Sequence, residues 1–366
     1  MRVWCVNQFA LPPDQAGGTR HASLAASLGE LGIEMTLVAA PINYVSGKQF
    51  REAEGRPWWH ERVGGVPFVW LAQKERGSGL IERLGSMARF ARVVARGRWG
   101  ADLDRPDVIL GSSPSLFGAW GAARLARRLG VPFVMEVRDV WPQSIVDVAG
   151  VSARHPGVLA LRQLEKWLYR RADHIVTLLP GAAAHIEQSG GEAERITWIP
   201  NGVVLTNSPP TPRASEDGPF RVVYAGAHGP ANALDAIVDA AALVRTSHGA
   251  AVEFAFYGAG SAKEDLKRRA AGNPGVVFHD PVPKQEVPSI LANADALITN
   301  TRDLGLYRHG ISPNKMFDYL ASGRPVVSGS SAALDPIGES GGGYVVTPDD
   351  PDALADAVRQ LVAAPA

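Results

Sequence analysis

The chain is predicted to be an α/β protein built of two doubly wound, Rossmann-like domains facing a central cleft. Three observations predict this. Short apolar runs rich in Val, Ile and Phe alternate with segments of helical period, which is the pattern of parallel βαβ units. The alternation runs twice, and the polar stretch 206–218, rich in Pro and Ser, separates the two series. The 366 residues exceed one ordinary core and suffice for two domains of this size. Ligands of such folds bind outside the carboxyl ends of the strands, so the loops there are the places to look for chemistry.

In order, the first series predicts strands over 2–6, 35–40, 68–71, 108–111, 133–137, 174–179 and 196–199. The second predicts strands over 220–224, 252–257, 276–278, 296–299, 325–328 and 344–346. The expected domains are 1–200 and 201–350, with a closing helix in 351–366 expected to pack back toward the first domain.

The 37 Lys and Arg balance the 37 Asp and Glu, so the net field that marks nucleic-acid binders is missing. Cys5 is the one cysteine, in the first apolar strand, which excludes a disulfide framework or a cysteine metal site. The start Met1-Arg2-Val3-Trp4-Cys5-Val6 reads as a strand, without a signal-peptide cleavage pattern or an apolar span of roughly eighteen residues. A cytoplasmic protein is expected.

The most informative run is 310–327, which contains Ser312-Pro313-Asn314-Lys315-Met316-Phe317-Asp318. Pro313 suits a first helical turn and Ser312 can cap the free amides ahead of it. The positive helix end beside Lys315 can bind phosphate, while Asp318, about one turn on, can accept hydrogen bonds from vicinal hydroxyls. Phosphate next to a diol is what a sugar nucleotide presents.

This run resembles the donor segment of family-four glycosyltransferases of GT-B fold, in the bacterial O-antigen and capsule polysaccharide branch. Two acids eight apart flank the segment in that family. Here the second is Asp318, and the first position holds Gly310.

Further motifs lie at predicted strand ends and match the same branch in order. Gln15-Ala16-Gly17-Gly18-Thr19-Arg20-His21 is read either as a tight turn or as a glycine loop approaching a ligand. The resemblance implies contact of Gly17 and Gly18 with the donor diphosphate. Ser112-Ser113-Pro114-Ser115-Leu116-Phe117 and Arg138-Asp139-Val140-Trp141-Pro142-Gln143-Ser144 resemble acceptor-side motifs, which assigns His21, Ser113 and Trp141 to that side. Charged residues closing an apolar strand are expensive unless paired or used, so Arg138 and Asp139 either form a local pair or act chemically.

In the second half, Tyr224-Ala225-Gly226-Ala227-His228-Gly229 resembles the loop that touches the donor diphosphate. The family's cations are missing from it, leaving His228, loop amides and Lys315 to neutralise the leaving group. The Gly258-Ala259-Gly260 pair lacks the third glycine of a dinucleotide fingerprint. With Val277-Phe278-His279-Asp280-Pro281-Val282-Pro283 it resembles the base-binding region, where backbone near Val282 would read the base. Asn314 and Ser312 complete the implied donor set.

Residues 79–99 form a basic amphipathic pattern, with Leu80, Ile81, Leu84, Met87, Ala88, Phe90 and Val94 interleaved with Arg83, Arg89, Arg92, Arg96 and Arg98. Two readings stand: an ordinary domain helix with a solvated basic face, or a peripheral helix on the inner face of the plasma membrane, apolar side inserted.

The resemblance implies a metal-independent, retaining transfer of a hexosyl or N-acetylhexosaminyl residue. The donor is expected to be UDP-linked, and the acceptor a hydroxyl of a glycan or a lipid-linked saccharide. Asp139, Arg138 and Lys315 are the expected catalytic residues, and no cofactor, metal or nucleic acid is expected. The alternatives are a UDP-N-acetylglucosamine 2-epimerase-like enzyme and a non-catalytic sugar-nucleotide binding protein.

Overall fold

The computed structural model describes every residue except 16–18, 44–46, 76, 78, 206–217, 333 and 365–366. The chain divides into two compact units, Met1–Pro200 and Asn201–Ala366.

In the first unit the strands are β1 (Arg2–Val6), β2 (Glu34–Ala39), β3 (Trp58–Val63), β4 (Val66–Leu71), β5 (Val108–Ser112), β6 (Phe133–Val137), β7 (His174–Thr177) and β8 (Ile196–Trp198). They form an eight-stranded sheet in the order β3-β4-β2-β1-β5-β6-β7-β8. All neighbours are parallel except β3, which pairs antiparallel with β4. The sequence reading lacks β3. Its signal was the pair Gly64-Gly65, with φ of +57° and +82°. A two-residue turn with both residues left-handed is the one whose twist suits a hairpin.

The helices of this unit are α1 (Arg20–Glu30), α2 (Leu80–Arg96), α3 (Leu116–Leu129), α4 (Gln143–Ala149), α5 (Pro156–Arg171) and α6 (Ala183–Gln188). Helices α2 and α3 approach so closely that a Cβ on Gly121 would lie 2.7 Å from the Ala91 carbonyl oxygen. That contact turns the apolar stripe of α2, Met87, Phe90, Ala91 and Val94, into the core beside Ala119 and Ala122. These four residues are therefore buried by protein, while Ile81 at the start of the helix stays exposed. The arginines of the opposite face remain outside. Among the described residues no helix is long and apolar enough to cross a membrane.

The second unit carries β9 (Phe220–Ala225), β10 (Val252–Tyr257), β11 (Val276–His279), β12 (Ala296–Asn300), β13 (Val326–Gly329) and β14 (Gly343–Val346). Their order is β11-β10-β9-β12-β13-β14, parallel throughout. The order reverses between β9 and β12, so the loops after these strands diverge and leave a crevice at their carboxyl ends. The helices are α7 (Leu234–His248), α8 (Lys263–Arg269), α9 (Val287–Ala292), α10 (Asn314–Ala321), α11 (Pro336–Ser340) and α12 (Pro351–Ala363). Asp350 caps α12, accepting from the amides of Asp352 and Ala353. The apolar face of α12, Leu354, Ala355 and Val358, lies in the second unit's core with α7.

Candidate functional site

In the first unit, the carboxyl ends of β1, β5 and β6 converge on one buried polar cluster. Glu136, in β6 and 1% exposed, accepts from Arg20 Nε at 3.0 Å and from the Ser112 hydroxyl at 2.6 Å, and its Oε2 lies 2.7 Å from His21 Nε2. Asn7, just past β1, donates to Ser112 Oγ at 3.1 Å. Arg20 also donates to the carbonyls of Pro200 (2.6 Å) and Ile199 (3.1 Å), where the first unit ends. Burial alone would raise the Glu136 carboxyl. The charge and hydrogen bond of His21, with Arg20 and Arg138, outweigh it and hold the group well below the usual carboxylate range. Sequence reasoning missed Glu136, because a carboxylate inside an apolar strand reveals its partners only once the strand is placed.

The acceptor-side residues sort differently from expectation. His21 and Ser113 are buried, and the Ser113 hydroxyl accepts from the Arg138 amide at 2.8 Å. Trp141 is a core residue, 9% exposed, in the cluster with Val137 and Val140. All three are packed into the structure around the carboxyl ends of β5 and β6. Asp139 stands exposed, and Arg138 is half-buried with its Nε buried and unpartnered. The expected local pair is not formed: among the described residues neither makes an ion pair. Crowding by protein raises the Asp139 carboxyl above its ordinary value and Arg138 opposes that rise; solvent at the exposed side chain tempers the net effect. Gly17 and Gly18 lie outside the described residues.

In the second unit, the loops after β9 and β10 pack backbone to backbone. A Cβ on Gly258, at φ +144°, would sit 1.9 Å from the Gly226 carbonyl oxygen, and one on Gly260 would sit 2.3 Å from that of His228. Glycine is required there by this contact. Lys263, only 9% exposed, ties the turn to the exit of β11 by donating to the carbonyls of Gly258 (2.9 Å) and His279 (2.7 Å). No sequence signal marked it, since a lysine in a short polar helix reads as surface.

His228 is fully buried and neither ring nitrogen reaches a hydrogen-bond partner. Burial and the charges of Lys263 and Lys315 push its pKa down to about 4, although the Tyr257 backbone pulls it up. The imidazole is therefore neutral near pH 7. Without a bound anion its contribution to a leaving group is a hydrogen bond rather than a charge.

Lys315, in the first turn of α10, donates to Asn232 Oδ1 at 2.9 Å and to the Tyr224 hydroxyl at 3.2 Å, and lies over the Tyr224 ring. Desolvation pushes its pKa down to about 7, and the half-exposed position of the residue limits that effect. The helix is anchored by Tyr319, whose hydroxyl bonds both the amide and the carbonyl of Ala225. Pro313, not Ser312, occupies the cap position, and no side chain caps the helix. Ser312 instead accepts from the Asn201 amide at 2.8 Å, because its backbone turns toward that segment. Asp318 accepts from Lys284 at 2.8 Å, so its carboxylate meets a cation before any diol. Asn314 and Val282 are both half-buried, the first at the start of α10 and the second beyond β11. Gly310 has φ +93° and ψ 174°, a conformation nearly restricted to glycine, which explains why an acid side chain does not fit there.

Comparisons with known proteins match the two units separately. Residues 16–202 match the family described as the glycosyl transferase 4-like domain, and residues 219–364 match glycosyl transferases group 1. WbjE of Pseudomonas aeruginosa, named as a probable glycosyltransferase, is 26% identical over 70% of this chain and 66% of its own length, just short of two thirds. WcaI of Escherichia coli K12, named for glycosyl transfer in colanic acid biosynthesis, is 24% identical over 96% of this chain and 90% of its own. Among solved structures, Anabaena HepE in complex with UDP and glucose aligns at a TM-score of 0.60 with 13% identity, covering 99% of this chain and 89% of that one. An Escherichia coli trehalose-6-phosphate protein bound to UDP-2-fluoro glucose aligns at 0.70 with 12% identity, covering 100% and 92%. The fold is GT-B.

Proposed function

This chain belongs to the glycosyl transferase 4-like and group 1 family, and we propose that it moves a hexosyl or N-acetylhexosaminyl residue from a UDP-linked donor to a hydroxyl of a glycan or lipid-linked saccharide, with retention. The observation that carries the donor half is Lys315. A desolvated ammonium held by Asn232 and Tyr224, in the first turn of α10 and beside the loop after β9, suits a diphosphate that gains charge as it leaves. The amides at the start of α10 add to that field, and no cofactor or metal enters the reading. His228 supplies a hydrogen bond, and Asp318, paired with Lys284, supplies an acceptor for the donor's hydroxyls. The backbone near Val282 reads the base. On the acceptor side, exposed Asp139 orients or deprotonates the incoming hydroxyl.

The test is a thermal-shift panel of UDP-, GDP- and dTDP-sugars on the purified protein, followed by product mass spectrometry with and without a saccharide acceptor extract. Stabilisation by UDP-sugars and an acceptor product one sugar heavier support the reading. A new epimer formed from the nucleotide sugar alone overturns it, as does UDP binding without turnover on any acceptor.

A further inference from the structure

A cavity lies away from the polar clusters discussed so far. It is an open groove of about 1280 Å³ in the first unit, lined on one side by α2 and on the other by the segment that follows β4. Lys74, Arg89, Arg92 and Arg96 face it, all exposed. Among the described residues none of these four makes an ion pair or a hydrogen bond. The three arginines recur at helical spacing along one side of α2, a stripe of roughly 10 Å.

The acids of the groove, Glu75 and Glu82, which accept from the amides of Gln49 (3.0 Å) and Gly77, are outnumbered by these cations. The walls are also fixed to each other. Ser86 of α2 is fully buried and donates to Gln73 Oε1 at 3.2 Å, and it accepts from Gln8, two residues past β1, at 3.1 Å. The cations thus stand on a braced concave wall tied to the end of β1. Four cations without a partner among the described residues, held around one groove, are complementary to a polyanion.

We propose that this groove is a binding subsite for an anionic saccharide, a short sugar chain bearing carboxylate or phosphate groups, which is the acceptor or the part of it remote from the reacting hydroxyl. The inference rests on the glycosyl-transfer reading for the word acceptor, but the site itself does not. A concave site with cations on one wall and Lys74 across from them suits a discrete chain that enters it, whereas a flat sheet of lipid headgroups would meet only the rim. The volume exceeds the usual range for a single small ligand, as an oligosaccharide requires.

The test uses the full chain, with tetragalacturonate as the anionic probe, maltotetraose as the neutral one, and vesicles of phosphatidylglycerol or phosphatidylcholine as lipid surfaces. Calorimetry on the natural protein should show tetragalacturonate binding that weakens with salt and is competed by inorganic pyrophosphate, with no binding of maltotetraose. The double variant Arg89→Gln/Arg92→Gln should lose about 10-fold or more in that affinity, the scale of two ion pairs, while its melting temperature and UDP affinity stay unchanged. Equal binding by the variant overturns the proposal, as does equal binding of the neutral chain. Binding to phosphatidylglycerol vesicles without binding to tetragalacturonate also overturns it and assigns the groove to a lipid surface. If UDP fails to bind the natural protein while tetragalacturonate binds through the arginines, the transferase reading falls and the groove stands.

Discussion

His21 Nε2 and Glu136 Oε2 lie 2.7 Å apart, both essentially inaccessible to solvent, and join the first helix to the sixth strand at the carboxyl edge of the first sheet. Arg20 holds the other carboxylate oxygen and reaches the carbonyls at the end of the unit. One carboxylate thus organises the loop after β1, the end of β5 and the chain's exit from the unit.

Glu136→Gln should destabilise the protein by roughly 3 kcal/mol, because it leaves the buried Arg20 guanidinium without its counter-charge. Urea unfolding measures this. The sign of the pH dependence follows from the depressed folded-state carboxyl: its contribution is fully present above the unfolded value, about pH 4 to 5, and is lost as pH falls toward the folded one. The Gln variant should lack that acid-side loss, so identical slopes below neutrality in both proteins would contradict the assignment.

Lys315, with its pKa pushed down to about 7, is only partly charged near neutrality. A bound diphosphate favours the ammonium, so UDP binding should take up a proton, and affinity should fall as pH rises from roughly 7 to 9. Without ligand the sign is the reverse. The folded value lies below the unfolded one, so the group's destabilising effect is full below about 7 and fades as pH rises toward the unfolded value. Calorimetry in buffers of different ionisation heat checks the uptake. Lys315→Met should abolish it and lower the transfer rate more than it lowers UDP affinity.

Asp318→Ala should weaken UDP binding by roughly 1 to 3 kcal/mol if its carboxylate accepts from the donor. The ion pair with Lys284 supplies the control. Lys284→Met removes the cation and leaves the acid, so it should affect UDP affinity far less. Equal losses in the two variants would show that the pair merely shapes the loop.

Asp139→Asn keeps size and hydrogen bonding and removes basicity. Since Asp139 is exposed and forms no ion pair among the described residues, the variant should melt as the natural protein does and bind UDP normally, while transfer drops on the order of 100-fold. Melting, UDP affinity and initial rate on one preparation decide it. Near-normal transfer ends the residue's claim to the chemistry.

The sequence by itself determined the two series of parallel strands and the family, because strand and helix periodicity and contiguous motifs are local properties of the chain. The run from Ser312 to Asp318 was readable as a helix start with a lysine and an acid on it for the same reason. Only the tertiary structure decided what those residues touch. Lys284 comes to Asp318 from 34 positions away, and Arg20 and His21 meet Glu136 across more than a hundred. The same holds for α2, whose amphipathic pattern suited a core or a membrane equally, while the close approach at Gly121 buries Met87, Phe90, Ala91 and Val94 and leaves arginines around a groove. A side chain's type and spacing are written in order along the chain, but its desolvation, partner and charge state depend on neighbours that only folding brings near.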